Sequence, residues 1–227
     1  MSGTNFLSKP WIIRQTLVWG ILTAVISSAG FFYLDRAAAL FFSRPDLELF
    51  YKFNREITNI GYSIHYFVLA IAAAIIARYF SRHISAFERS PNLRERVMNW
   101  SKFTIFCLIC EGLIIELIKF IVGRKRPHLT PDFEHLDFSP FHLHWHWHSL
   151  PSGHSQVIFT VATILYLMKP KFGVWYFLTA AFLAFTRVVI QQHFFSDFCI
   201  GAYLGFTLTL WLNYFRKPGE ILSKAQQ

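Results

Sequence analysis

Lys119, Arg126 and Arg187 are cations of the kind that neutralise phosphoryl oxygens, and His154 and His193 are imidazoles able to attack or to pass a proton. They fall in three clusters: Lys119 with Arg126-Pro127; Pro151-Ser152-Gly153-His154; and Arg187 with His193 and Asp197. Each cluster stands at the edge of a strongly apolar segment. That places the chemistry at a membrane surface and points to removal of phosphate from a lipid.

Each cluster also has a plainer reading. Lys119 alone could snorkel to the interface near Gly123, or pair with Glu116 three residues back on the same helix face. Arg126, seven residues on, makes a phosphate clamp the competing reading. Ser152 could simply cap the helix that follows, with His154 incidental. Yet Gly153 lets backbone approach a ligand, and a helix start presents free N–H groups to an anion. His193 and Asp197 share a face at i, i+4 if that stretch is helical, so the carboxylate could hold one imidazole nitrogen protonated. Arg187 lies six residues before His193 and cannot share that face on a straight helix, so the chain must bend between them.

The elements that position these groups are apolar helices. Of 227 residues, 54% are hydrophobic and 19% aromatic, too many for an ordinary soluble domain. Runs approaching the roughly 20 residues that cross a bilayer suggest six spans, at about 13–34, 61–80, 101–122, 154–169, 172–192 and 195–215. The expected fold is all-α: a polytopic membrane protein forming one domain over 1–227. The small residues Ser27-Ser28-Ala29-Gly30 could mark a cleaved signal peptide, but the apolar run is longer than a signal core and favours an uncleaved anchor.

A net charge of +9 is best read through topology. Arg78, Arg82, Arg89, Arg94, Arg96 and Lys102 crowd one connection, and Lys9, Arg14, Lys169, Lys171, Arg216, Lys217 and Lys224 share its side. That side is expected to be cytoplasmic, with both termini. The 35–60 loop balances Arg36, Arg44, Lys52 and Arg55 with Asp35, Asp46, Glu48 and Glu56. Lys119, Arg124, Lys125, Arg126 and Arg187 break the bias on the outer side, where the active site is expected. Cys107, Cys110 and Cys199 all fall within spans and fit packing better than redox or metal chemistry.

Two further segments stand out. Over about 44–60, Leu47, Phe50, Phe53, Ile57 and Ile60 form a helical stripe suited to an amphipathic helix on the outer surface, or to a loop packed on the bundle. The outer loop 124–150 carries alternating His142, His144, His146 and His148. Such a tract can bind metal. Without a carboxylate or thiol inside the alternation, an interfacial segment with Trp145 and Trp147 at headgroup depth is the better reading. No metal and no cofactor is expected. Glu111, inside the third span, costs roughly 2.5–3.5 kcal/mol to insert and must face the bundle or a watery cavity.

The three clusters, in this order and spacing, resemble the type 2 phosphatidic acid phosphatase superfamily of membrane lipid phosphatases and soluble haloperoxidases. The family pattern of lysine, six residues and Arg-Pro is similar to Lys119 through Arg126-Pro127. Pro-Ser-Gly-His matches Pro151 through His154. Ser-Arg, five residues, His, three residues, Asp matches Arg187, His193 and Asp197, with Thr186 in place of serine. The motif region spans about 119–197.

The resemblance implies that His193 attacks phosphorus to give a phosphohistidine, oriented by Asp197. His154 protonates the departing lipid oxygen, while Lys119, Arg126, Arg187, Ser152 and the Gly153 N–H cradle the phosphoryl oxygens without a metal. The implied substrates are lipid A, undecaprenyl diphosphate, phosphatidylglycerol phosphate or phosphatidic acid; a bacterial inner membrane with the site facing the periplasm is the expected setting, and an equivalent eukaryotic lumenal site is the alternative. His193-Phe194-Phe195-Ser196-Asp197 and the aromatic 128–150 loop are similar to lipid A phosphatases. A lipid-to-lipid phosphotransferase would use the same site. A vanadate haloperoxidase fits six spans poorly, and a non-catalytic lipid-binding or transport protein fits two intact histidines poorly.

Overall fold

In a computed structural model, residues 8–80 and 92–216 are described, together with Ile84, Phe87 and Ser90 between them. The described chain is helical, and its one β contact is a bridge between Arg124 and Phe138. Helix α1 (Lys9–Ala29) starts where Ser8 accepts the Trp11 N–H at 3.4 Å, with Pro10 in the first turn where no N–H is needed. It continues through a π-helical turn (Gly30–Leu34) into α2 (Asp35–Phe42). The first apolar rod therefore runs past the expected end at 34. The stretch 35–60 is also not a loop: α2 is followed by α3 (Glu48–Ile57), flanked by 3-10 turns at Pro45–Leu47 and Thr58–Gly61.

Helix α4 (Ser63–Ile75) ends in a second π-helical turn, Ile76–Phe80. Helix α5 (Leu93–Val122) is 30 residues long, so Arg94 and Arg96 lie on a helix and not in a connection. Arg82, Arg89, Lys217 and Lys224 fall outside the described residues. Then come α6 (Gly153–Met168), α7 (Gly173–Val189) and α8 (Phe195–Phe215). Among the described residues four helical stretches are long and apolar enough to cross a membrane: Lys9–Phe42, Pro45–Phe80, Pro170–Val189 and Phe195–Phe215. Gly153–Met168 is apolar but shorter.

Helix α6 is the hub, packed along α8 and α7, with α1 on the far side of α8 and α4 against α5. Contact between α6 and α8 is backbone-close, because a Cβ at Gly201 or Gly205 would overlap the carbonyls of Ser152 and Gln156. This seam fixes the first turn of α6, which carries Ser152 and His154, against the first turn of α8, which carries Asp197. Below it, buried Glu111 of α5 accepts from Gln156 and Thr209 at 2.8 Å each and contacts the Thr160 hydroxyl. One carboxylate thus ties α5, α6 and α8 together at full hydrogen-bond satisfaction. Cys107 packs in the apolar cluster of Ile12, Phe103, Ile164, Leu167 and Leu210, and all three cysteines are free thiols.

The stripe over 44–60 divides. Phe50, Phe53 and Ile60 are exposed, as is Leu49 beyond the stripe, whereas Leu47 and Ile57 are half-buried and Asn54 faces inward. Helix α3 packs on α7 by that inner side, with Phe42 stacked on Phe50 at 6.3 Å.

Candidate active site

The helix ends bring the three clusters together. A Cβ on Gly153 would lie 3.3 Å from Lys119 Nζ, so the lysine at the end of α5 reaches the start of α6. Lys119 is buried and pairs with Glu116 at 2.6 Å. Ser152 caps α6, accepting the Ser155 N–H at 3.3 Å, while its own N–H donates to the Asp197 carbonyl at 3.0 Å. The cap uses a lone pair of the hydroxyl, which keeps its hydrogen for a ligand.

Arg187 closes α7. The chain then turns through Gln191, whose φ of 57° is left-handed, and both the Gln192 and His193 N–H groups donate back to the Arg187 carbonyl. This is the bend required to bring Arg187 and His193 to one place. Thr186, where the family usually has serine, spends its hydroxyl on the Leu183 carbonyl at 2.6 Å. Arg126 is held by the loop around it, through the carbonyls of Trp145, His148 and Gln192 and the Gln192 side chain, at 3.2–3.4 Å.

His193 is buried, and burial together with Arg126, Arg187 and Lys119 holds its pKa well below the ordinary 6.5. Its Nδ1 lies 2.7 Å from the Ser149 carbonyl oxygen. A carbonyl only accepts, so Nδ1 carries the proton and Nε2 keeps its lone pair. The expected carboxylate partner is not the direct one. Asp197 Oδ2 is 3.9 Å away from Nδ1 and accepts instead from the Ser149 hydroxyl at 2.6 Å and the Phe194 N–H at 2.9 Å. The reason is that residue 193 precedes helix α8, so the i, i+4 alignment does not apply.

His154 Nε2 and Arg187 Nε are both buried without a hydrogen-bond partner, as are Ser155 Oγ and Arg124 Nε nearby. Buried donors and acceptors are nearly always satisfied, and a guanidinium and an imidazole left open side by side suit an anionic, oxygen-rich group. Among the described residues no three His, Cys, Asp or Glu side chains are grouped to hold a metal. The 142–148 tract forms the rim. Trp145–Trp147 is a single 3-10 turn, His142 and His144 accept backbone N–H groups from two residues on, and the Arg126 guanidinium lies 5.4 Å from the Trp145 ring.

Sequence reasoning missed three residues. Arg124, fully buried, bridges Asp197 at 2.6 Å and Asp35 at 2.8 Å and lies 4.1 Å from the Phe194 ring. Asp35, counted among surface charges from sequence, is buried and also accepts from the Ser196 N–H and hydroxyl. Tyr62 packs edge-on to His154, ring centres 4.7 Å apart, and neighbours the Arg187 guanidinium. Gly61 beside it has no room for a side chain, since a Cβ would stand 2.8 Å from His154 Cδ2. Only the charge-bias exception of Arg124 was visible in the sequence.

The helix ends thus gather buried cations and two imidazoles into one place. Residues 100–219 match the PAP2 superfamily, and the chain belongs to that family. It is 32% identical over 103 residues to a lipid A 1-phosphatase of Rhizobium johnstonii, covering 45% of this chain and 42% of that protein. It is also 32% identical over 111 residues to one of Rhizobium etli, covering 48% of each. The chain thus spans less than half the length of the curated relatives it matches. In fold it is similar to a transmembrane PAP2-type phosphatidylglycerolphosphate phosphatase from Bacillus subtilis, with a TM-score of 0.61 at 19% identity, covering 91% of this chain and 96% of that one.

Proposed function

We propose that this integral membrane protein is a lipid phosphate phosphatase acting through a phosphohistidine, with residues 1–227 as one domain crossing the bilayer six times. The observation that carries the reading is the convergence on neutral, Nδ1-protonated His193 of Lys119, Arg126 and Arg187 beside the unpartnered His154 Nε2. The Nε2 lone pair of His193 forms a bond to phosphorus as the phosphorus–oxygen bond to the lipid breaks, and His154 gives its proton to the departing oxygen. Water then attacks phosphorus, returns a proton to His154 and releases phosphate from His193. Throughout, Lys119, Arg126, Arg187, Ser152 and the Gly153 N–H balance the charge on the phosphoryl oxygens. No metal enters the scheme.

Among candidate lipids, lipid A is favoured by the names of the relatives, ahead of undecaprenyl diphosphate, phosphatidylglycerol phosphate and phosphatidic acid. The excess of cations at the opposite end of the helices supports cytoplasmic termini and a site facing the periplasm of a bacterial inner membrane. Phosphate release by detergent-purified protein on those four lipids, beside His193→Ala, tests the reading. Release that vanishes in the variant supports it. Activity surviving in His193→Ala would remove the proposed nucleophile, and phosphate recovered on a second lipid instead of in solution would make the protein a phosphotransferase.

A further inference from the structure

At the far end of α5 from Lys119, a cavity of about 750 Å³ opens between α4 and α5. Its walls are apolar, with Ile71, Ile75 and Ile105 among them, and its rim carries the exposed cations Arg78, Arg94 and Lys102. Among the described residues, Glu95 is the one carboxylate on the rim. A second cavity of about 460 Å³ lies on the other flank of α5, against the end of α8, and shares Lys102. There Arg216 donates one Nη to the Asn99 carbonyl at 3.0 Å, while its other Nη is buried without a partner. The groove has a fixed shape because Arg94 Nε donates across it to the Ala77 carbonyl at 3.1 Å, inside the π-helical turn that ends α4.

From this arrangement we infer a second lipid site, for an anionic diacyl phospholipid of the leaflet opposite the active site. Seventeen residues of α5 separate Lys102 from Lys119, about 26 Å at 1.5 Å per residue. That is close to the roughly 30 Å of a hydrocarbon core, so one headgroup cannot serve both places. Among the described residues three cations stand against one carboxylate, which selects an anionic over a zwitterionic headgroup, and basic pockets between spanning helices seat such lipids. The isoleucine walls take acyl chain, which a soluble anion lacks. Among the described residues no histidine lines either cavity, so the inference is one of binding and not of turnover.

The test uses the full-length protein, delipidated in a neutral detergent, with thermal unfolding and native mass spectrometry as readouts. Phosphatidylglycerol should raise the midpoint and stay bound, and phosphatidylcholine with the same chains should do neither. Arg78→Gln/Lys102→Gln spares the Arg94 tie. It should weaken the phosphatidylglycerol response on the order of 25-fold, at about fivefold per juxtamembrane cation. His193→Ala should leave the response intact, which separates this site from the catalytic reading. Equal responses to the two lipids, an undiminished preference in the double variant, or the same shift from inorganic phosphate alone would each overturn the inference. So would no response to either lipid, which would mean that the chain itself covers the groove.

Discussion

The Nδ1 of His193 meets the main-chain oxygen of Ser149 at 2.7 Å, and the hydroxyl of the same serine meets Asp197 at 2.6 Å. One residue therefore stands between imidazole and carboxylate, serving the first with its backbone and the second with its side chain. Behind Asp197, Arg124 and Asp35 complete a row of buried charges reaching back to α2. The carboxylate acts on His193 through a held loop, by way of position, and the proton on Nδ1 is secured by a group that cannot titrate.

Ser149→Ala separates these two duties. It keeps the carbonyl, so the tautomer of His193 and the turnover number should change little. It removes a buried donor to a charged group, worth roughly 1.5–3 kcal/mol, so the midpoint of thermal unfolding in detergent should fall. A large loss of kcat without loss of stability would show that the hydroxyl, and not the carbonyl, governs the imidazole.

Arg124→Ala should be severe for a different reason. It leaves Asp35 and Asp197 buried without their counter-ion, and breaking a buried pair from one side costs roughly 3–5 kcal/mol. Arg124→Lys should recover little, because a single ammonium cannot serve both carboxylates as the forked guanidinium does. Expression level and thermal midpoint of the two variants measure this, and a stable Arg124→Lys would argue against the fork.

What the sequence exposed and what it hid follow from range. Motif spacing put Lys119, His154 and His193 on helix ends, because apolar runs and Gly or Pro punctuation are local signals. Asp35 was invisible as a site residue: it sits 89 positions before Arg124 and 162 before Asp197, and nothing in a charged tetrad of loop residues says which one is buried. The condition set on His193 and Asp197, a helix over both, is not met, for the opposite reason. An i, i+4 spacing implies contact only inside a helix, and α8 begins at Phe195.

The pH dependence follows from His193. Burial and three cations lower its pKa in the folded protein, so it stays neutral below 6.5, where a histidine in the unfolded chain takes up a proton. Two consequences carry the same sign. The acid limb of kcat/KM that belongs to His193 should lie well under 6.5, and stability should fall as pH drops below 6.5 because only the unfolded chain binds the proton. Arg126→Met removes one of the cations, so it should move that limb upward even as it weakens phosphate binding. A limb that stays in place would separate Arg126 from the nucleophile.

Tyr62 lies outside all three motifs, yet its ring packs against His154 and it neighbours the Arg187 guanidinium. It thus stands beside both the proposed proton donor and one of the cations proposed to hold phosphate. Tyr62→Phe keeps the ring and removes only the hydroxyl, so kcat/KM and the thermal midpoint should stay close to those of the parent. Tyr62→Leu removes the aromatic contact with His154, worth roughly 0.5–1.5 kcal/mol, so kcat/KM should fall on the order of 2- to 12-fold. Were Tyr62→Leu to match the parent in kcat/KM, Tyr62 would be a packing residue at the rim and His154 would hold its place without help.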